Sequence, residues 1–402
     1  KFVRVSSAAG PVPFHIPEEF RHYQLLTYWK TCGSRGIIGK FDSPDGSSSV
    51  AIKRFISPFR SARHAQLVLR ELKLLRSFKH ENIARLLKCY TVAEAGKEDT
   101  IYHITEYCGE PLCNRIERGD YSMELVKKWL RELLRALQYM HSMGEIHRDL
   151  HPGCIGINAD NKLSLVGFGK ARVINRELNM TTERSIYDSA YMPLEEMDDW
   201  RRRESYLRTR DTADTDTTDD YTHEKITLPY MPMEELVEWV WEYDAKVDLW
   251  SAGVILCELV SGTPLFRGER IGSSLKRQIE YCGRIDENVL EKIKPDLDRR
   301  YISDFSKKCE RKDFIQLLRG SMPPERTIQS ADLVECEDSL RDFIERTLQI
   351  DPEARMSAAD ALSHPFLVTP RPWQQKLPAD EKEAHQILMK QIQREMENAA
   401  QH

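Results

Sequence analysis

An α+β chain folded as two lobes follows from three features of these 402 residues. Residues 23–53 and 101–106 alternate short apolar runs with Gly, Ser and Asp-Gly turns, the period-two pattern of antiparallel strands. A single helix-like run near residues 67–75 interrupts that strand-rich part. Beyond residue 107 the apolar spacing becomes that of helices. A small, mainly β N-terminal lobe with one helix and a larger, mainly α C-terminal lobe leave a cleft between them, a common place for a pocket.

In chain order, residues 1–22 read as an N-terminal extension. The segment YQLLTYWKTCGSRGIIGKFDSPDGSSSVAIK then supplies strands and turns, and the N-terminal lobe ends near residue 106 with IYHITE. Between them Leu67, Leu69, Leu72, Leu74 and Leu75, interleaved with Arg, Glu and Lys, predict an amphipathic helix. Residues 123–140, 247–260 and 339–348 predict helices of the second lobe, which runs from 107 to 367. Inside it, RRRESYLRTRDTADTDTTDDYTHE is nearly devoid of apolar side chains, so an inserted disordered segment is expected at about 198–229. It is flanked by a near repeat, YMPLEEMDDW and YMPMEELVEW, which a local duplication explains. Two copies do not make a solenoid. EAHQILMKQIQREME within 368–402 predicts a C-terminal tail helix.

Composition is that of a folded globular protein: 41% hydrophobic, 31% charged, net charge −5. That balance gives no electrostatic reason to expect nucleic acid or an anionic membrane as partner. No apolar run of bilayer length and no signal-peptide pattern occurs, so a cytoplasmic or nuclear location is expected. The nine cysteines are odd in number and lack C-x-x-C spacing, which favours reduced thiols over disulfides or a zinc cluster. A first residue of Lys rather than Met suggests a fragment or processed chain.

The chemistry is concentrated in IHRDLHPGCIGIN, at residues 146–158, and LVGFGKAR, at 165–172. With VAIK at 50–53, Glu71 in LRELKLL, ISPF at 56–59, KHENI at 79–83 and VDLWS at 247–251, they make residues 23–367 resemble a protein kinase domain. The resemblance is strongest to the mitogen-activated protein kinases, in the stress-activated branch that includes the Jun kinases.

That resemblance implies roles. Lys53 would hold the nucleotide phosphates, Glu71 would orient it, and Asp149 would be the base toward a substrate hydroxyl. Gly33 and Gly36 belong to a phosphate loop whose first glycine is missing. Ile38 and Ala51 would sandwich an adenine, with Thr105 at the gatekeeper position. Leu75, Leu86, His147 and Phe168 match the apolar column that joins the lobes. Arg148 and Arg172 would face a phosphorylated activation loop, although Leu67 replaces a third Arg, and the T-x-Y phosphorylation motif is absent from 181–184 and 219–221. Met233-Glu234-Glu235 stands for the A-P-E box, with Arg355 as its buried ion-pair partner. The stretch after Gly268, through Asp332, takes the place of the family's helical insert, and Arg371 and Lys376 interrupt the acidic docking patch expected after Leu367.

Both magnesium ligands of the pattern are replaced. Cys154 stands at the Asn position and Gly167 at the Asp position, so neither offers the hard oxygen such a cation needs. His151 also replaces the Lys that steadies the terminal phosphate. Metal polarisation of phosphoryl oxygens supplies several kcal/mol, and each 1.36 kcal/mol lost costs about tenfold in rate. The expected function is a pseudokinase that scaffolds or allosterically biases another kinase or signalling protein, with weak ATP binding and without magnesium. The alternatives are a weakly active serine/threonine kinase and a different nucleotide chemistry on the same fold.

Overall fold

The computed structural model describes residues 2–7, 10–31, 36–59, 62–93, 100–173, 228–236, 238–239, 244–267, 271–294 and 296–368. The N-terminal lobe is a five-stranded antiparallel sheet in the order β3-β4-β5-β7-β6. Its strands are β3 (Gln24–Thr31), β4 (Gly36–Asp42), β5 (Ser49–Phe55), β6 (Leu86–Val92) and β7 (Thr100–Glu106). The turn from β4 to β5 uses Gly46 at φ +69, a left-handed conformation that glycine adopts without strain. Asp45 Oδ1 braces it by accepting from Ser43 Oγ and the Ser47 N–H.

Residues 1–22 contribute more than an extension. β1 (Phe2–Ser7) and β2 (Gly10–Pro17) form a hairpin whose Phe14 and Ile16 are buried with Phe41, Val50, Ile52, Tyr102 and Ile104. Phe14 meets Phe41 edge to face at 5.5 Å. The hairpin thus closes one face of the sheet and completes a small core.

The other face meets helix α1 (Ala62–Ser77). Its inward stripe is His64, Val68, Glu71 and Leu75, with Leu74 beside it. The stripe differs from the expected run of leucines: Leu69 is exposed, and Leu67 and Leu72 are only half-buried. On a helix a residue one place from an inward one points sideways and one two places away points to the opposite side, so a dense leucine count did not mark the buried side.

β8 (Glu110–Pro111) and α2 (Leu112–Arg118) lead into α3 (Met123–Ser142). Ser122 caps α3 by accepting the Leu125 N–H, and Val126, Trp129, Leu130, Leu133, Leu137 and Met140 form its buried face. Short strands β9 (Glu145–Ile146), β10 (Ile155–Ile157), β11 (Leu163–Leu165) and β12 (Arg172–Val173) carry the loops of the cleft. After them come α4 (Met233–Leu236) and α5 (Lys246–Ser261). From Val247 to its end α5 is buried on every side, which makes it the axle of the C-terminal lobe. Gly253 lets it approach the helix Glu337–Thr347: a Cβ there would lie 2.5 Å from Thr347 Oγ1.

Most of the segment expected to be disordered, the tail helix after Val368, Gly33 and the residues compared with T-x-Y lie outside the described residues. Leu228 and Pro229, placed at the end of that segment, are buried in a one-turn helix, Leu228–Tyr230.

Candidate nucleotide site and catalytic loop

Strand register brings the residues expected to hold a nucleotide onto one face. Ile38 pairs with Lys53, Lys53 with His103, and Ala51 with Thr105. Directly opposed residues and residues two apart share one face, so Ile38, Ala51, Lys53, His103 and Thr105 all lie on the α1 side of the sheet. Gly36 opens β4 opposite Phe55 on that face.

Lys53 Nζ donates to both carboxylate oxygens of Glu71 at 2.8 Å, and both side chains are almost fully buried. Burial opposes ionisation of Glu71. The Lys53 ammonium outweighs it, aided by His103, whose Nε2 lies 3.4 Å from Glu71 Oε1, and the carboxyl stays well below the ordinary range. Burial also keeps His103 on the neutral side of its usual value. The pair is therefore formed and charged, held from β5, β7 and α1 at once. Sequence reading missed His103, whose signal is a lone titratable residue in the apolar strand IYHITE.

The loop that carries Asp149 hangs on Asp248 of α5. Its carboxylate accepts the His147 N–H and the Arg148 N–H, each at 2.9 Å, and lies 2.9 Å from His141 Nε2. These bonds hold Arg148 at φ +62, which a non-glycine residue adopts at a cost. Burial raises the Asp248 pKa, and the contacts with His141 and His147 more than reverse it, leaving the carboxyl below its usual range. Leu75, His147 and Phe168 are buried and Leu86 packs against their cluster. Phe168 sits edge to face with Phe78 at 5.2 Å and His147 at 5.4 Å, so the column joining the lobes is assembled.

At the two positions where magnesium ligands were expected, the donors do not suit that cation. Cys154 is buried and its thiol is taken up locally, accepting the His151 N–H at 3.2 Å and donating to His151 O at 3.0 Å. Burial pushes that thiol far above its usual pKa, so it stays protonated. Gly167 presents no side chain, and a Cβ there would lie 3.2 Å from the Cys154 Cβ. The two positions face each other with a protonated sulfur on one side and bare backbone on the other. Ile38, Ala51, Thr105 and Lys53, the last paired with Glu71, share one face of the sheet, as the expected nucleotide site requires, whereas a thiol and a bare backbone do not suit a hard cation.

Asp149 is placed with its N–H 3.3 Å from His147 Nδ1 and its Oδ1 3.1 Å from Lys170 Nζ. Lys170 is a second residue that sequence reading passed over, although it directly follows Phe168-Gly169. Below the loop, Arg355 Nη1 meets Glu234 Oε1 at 2.7 Å, with both side chains buried. The A-P-E equivalent is thus Pro232-Met233-Glu234, one residue earlier than Met233-Glu234-Glu235. Glu235 instead turns to Arg148, 4.0 Å away. Arg172 lies partly buried on β12, paired with β9.

A protein kinase domain family matches residues 32–367, which includes every loop just described. The chain is 30% identical to mitogen-activated protein kinase pmk-1 of Caenorhabditis elegans over 336 residues, 83% of this chain and 73% of that protein. The chain belongs to the protein kinases, in the mitogen-activated protein kinase family. Mitogen-activated protein kinase 14 of Xenopus laevis is 28% identical over 345 residues, covering 86% of this chain and 79% of the relative. Mitogen-activated protein kinase 13 of Homo sapiens is 27% identical over 354 residues, with 88% and 79% covered. In this mitogen-activated protein kinase family member no described helix is long and apolar enough to cross a membrane.

Proposed function

We propose that this member of the family is a pseudokinase: a nucleotide-pocket-containing scaffold or allosteric partner within a kinase signalling pathway, with metal-dependent phosphoryl transfer lost or strongly impaired. The observation that carries the reading is the facing pair Cys154 and Gly167, a buried protonated thiol opposite a residue with no side chain. Among the described residues three features of a kinase scaffold are present. The Lys53–Glu71 pair is formed, the Leu75, Leu86, His147 and Phe168 column is packed, and the loop is held by Asp248. The proposed kinase-like domain spans 23–367. ISPF and KHENI support a place in the stress-activated, Jun-kinase-like branch. Its partners are other kinases or signalling proteins in the cytoplasm or nucleus, rather than nucleic acid or a membrane.

In the pocket Ile38, Ala51 and Thr105 take the base, Gly33 and Gly36 belong to the phosphate loop, and Lys53, oriented by Glu71, takes the phosphates. ATP binding is weak and magnesium adds nothing. A second reading, a weakly active serine/threonine kinase, draws support from Asp149 keeping its carboxylate at the loop's centre. The deciding experiment is phosphate transfer to a generic basic protein, with and without chelator. Turnover at an ordinary rate that stops on chelation and on Asp149→Asn overturns the pseudokinase reading.

A further inference from the structure

Position 151 holds a histidine where the kinase pattern carries a lysine for the terminal phosphate. Its ring is folded back on its own turn: Nδ1 accepts the Gly153 N–H at 3.1 Å, and a Cβ on Gly153 would lie 2.8 Å from the ring. An ammonium nevertheless reaches Asp149 from another part of the chain. Lys170 Nζ lies 3.1 Å from Asp149 Oδ1, with the two side chains 16% and 9% exposed. Lys170 ends the one-turn helix Phe168–Lys170, and fully buried Phe168 anchors that turn between Phe78 and His147. On its other side, β12 pairs with β9. The Lys170 backbone is thus fixed at both ends, and its ammonium is delivered to one place in the cleft.

We propose that Lys170 is the terminal-phosphate ligand of this pocket, a lysine transposed from position 151 that meets a nucleoside triphosphate where a divalent cation would otherwise stand. The inference rests on the pseudokinase reading of the site. In kinase chemistry the Asp of this loop meets the hydroxyl next to the terminal phosphorus, so a cation touching Asp149 stands at the terminal end of the nucleotide. Lys53, gripped by both oxygens of Glu71, serves the phosphates nearer the base. An ammonium has three donors, so Lys170 can keep Asp149 and serve a phosphate oxygen together. Because this cation is part of the chain, the pocket tells triphosphate from nucleoside without any metal.

The test is isothermal titration calorimetry of the full chain with ATP, ADP and adenosine, each in EDTA and in magnesium. It compares wild type, Lys170→Met and Lys170→Arg, with circular dichroism as a check on folding. Charge-assisted hydrogen bonds of this kind correspond to about tenfold or more in affinity. ATP affinity in EDTA is expected to fall by that factor in Lys170→Met and to be largely kept in Lys170→Arg. ADP should lose less, and adenosine should be unchanged. Undetectable ATP binding by wild type in EDTA, equal ATP affinity in wild type and Lys170→Met, or an equal loss for adenosine would each overturn the assignment. A large magnesium enhancement in wild type, with the Lys170→Met loss in EDTA intact, would instead overturn the pseudokinase reading and leave Lys170 assigned.

Discussion

Cys154 and Gly167 stand so close that a Cβ on Gly167 would be 3.2 Å from the Cys154 Cβ. Two oxygen-bearing side chains at these positions would share one cation. Gly167 already has φ +85, in the left-handed half of backbone space that Asp tolerates better than most residues. The double variant Cys154→Asn with Gly167→Asp is therefore expected to gain a magnesium-dependent thermal shift with ATP. Ligand at about 100 times its dissociation constant adds about 2.7 kcal/mol to stability. Wild type and either single variant should show no magnesium increment, and an increment of similar size in wild type would refute the donor argument.

Glu234 and Arg355 form a buried pair in which Arg355 also donates to the backbone carbonyls of Lys246 and Gln349. Removing one partner strands a buried charge, at a cost of about 3–5 kcal/mol. Glu234→Ala should lower stability by that amount in urea denaturation. Glu235→Ala, whose carboxylate is 4.0 Å from Arg148, should cost clearly less. The reverse ranking would return the box to Met233-Glu234-Glu235.

Asp248 fixes the loop that carries Asp149 through two backbone N–H groups and a contact with His141. Asp248→Ala leaves those donors buried and unpaired and releases Arg148 from its positive φ. A loss of several kcal/mol is expected, together with faster hydrogen exchange at the amides of His147 and Arg148. Unchanged exchange there would show that the loop is held by something else.

Glu258 accepts the Tyr230 hydroxyl, and burial lifts its carboxyl to about 7 although Tyr230 and Arg326 pull the other way. Its ordinary value is 4.5, so between 4.5 and 7 the folded chain holds a proton that the unfolded chain has released. This contribution to stability falls as pH rises through that window and is flat above it. Glu258→Gln keeps an acceptor for Tyr230 and removes the titration. Going from pH 5 to pH 8, the variant should gain on wild type by roughly 1–3 kcal/mol. Parallel pH profiles would show that Glu258 does not titrate there.

Much of the site is legible in the chain because its residues sit in short local strings. VAIK, HRDL and the Phe168-Gly169 pair announce themselves, and Glu71 stands on a helix of recognisable period. His103 and Lys170 are not legible in this way. Each matters through a partner far along the chain, Glu71 for one and Asp149 for the other, and no local pattern marks the pairing. The hairpin of residues 2–17 was hidden for a similar reason. Its role depends on Phe14 finding Phe41 across the sheet, a contact without periodicity.

By itself the sequence determined the two-lobed class, the order of the loops and the two absent oxygen ligands. Those rest on residue identity and on the periods of strand and helix, which are properties of neighbouring positions. Tertiary structure alone decided that Glu234 rather than Glu235 meets Arg355, which leucines of α1 face inward, and that an ammonium from position 170 lies on Asp149. Such choices depend on direction and distance between elements, because charge pairing and burial act through space and carry no signature in chain order.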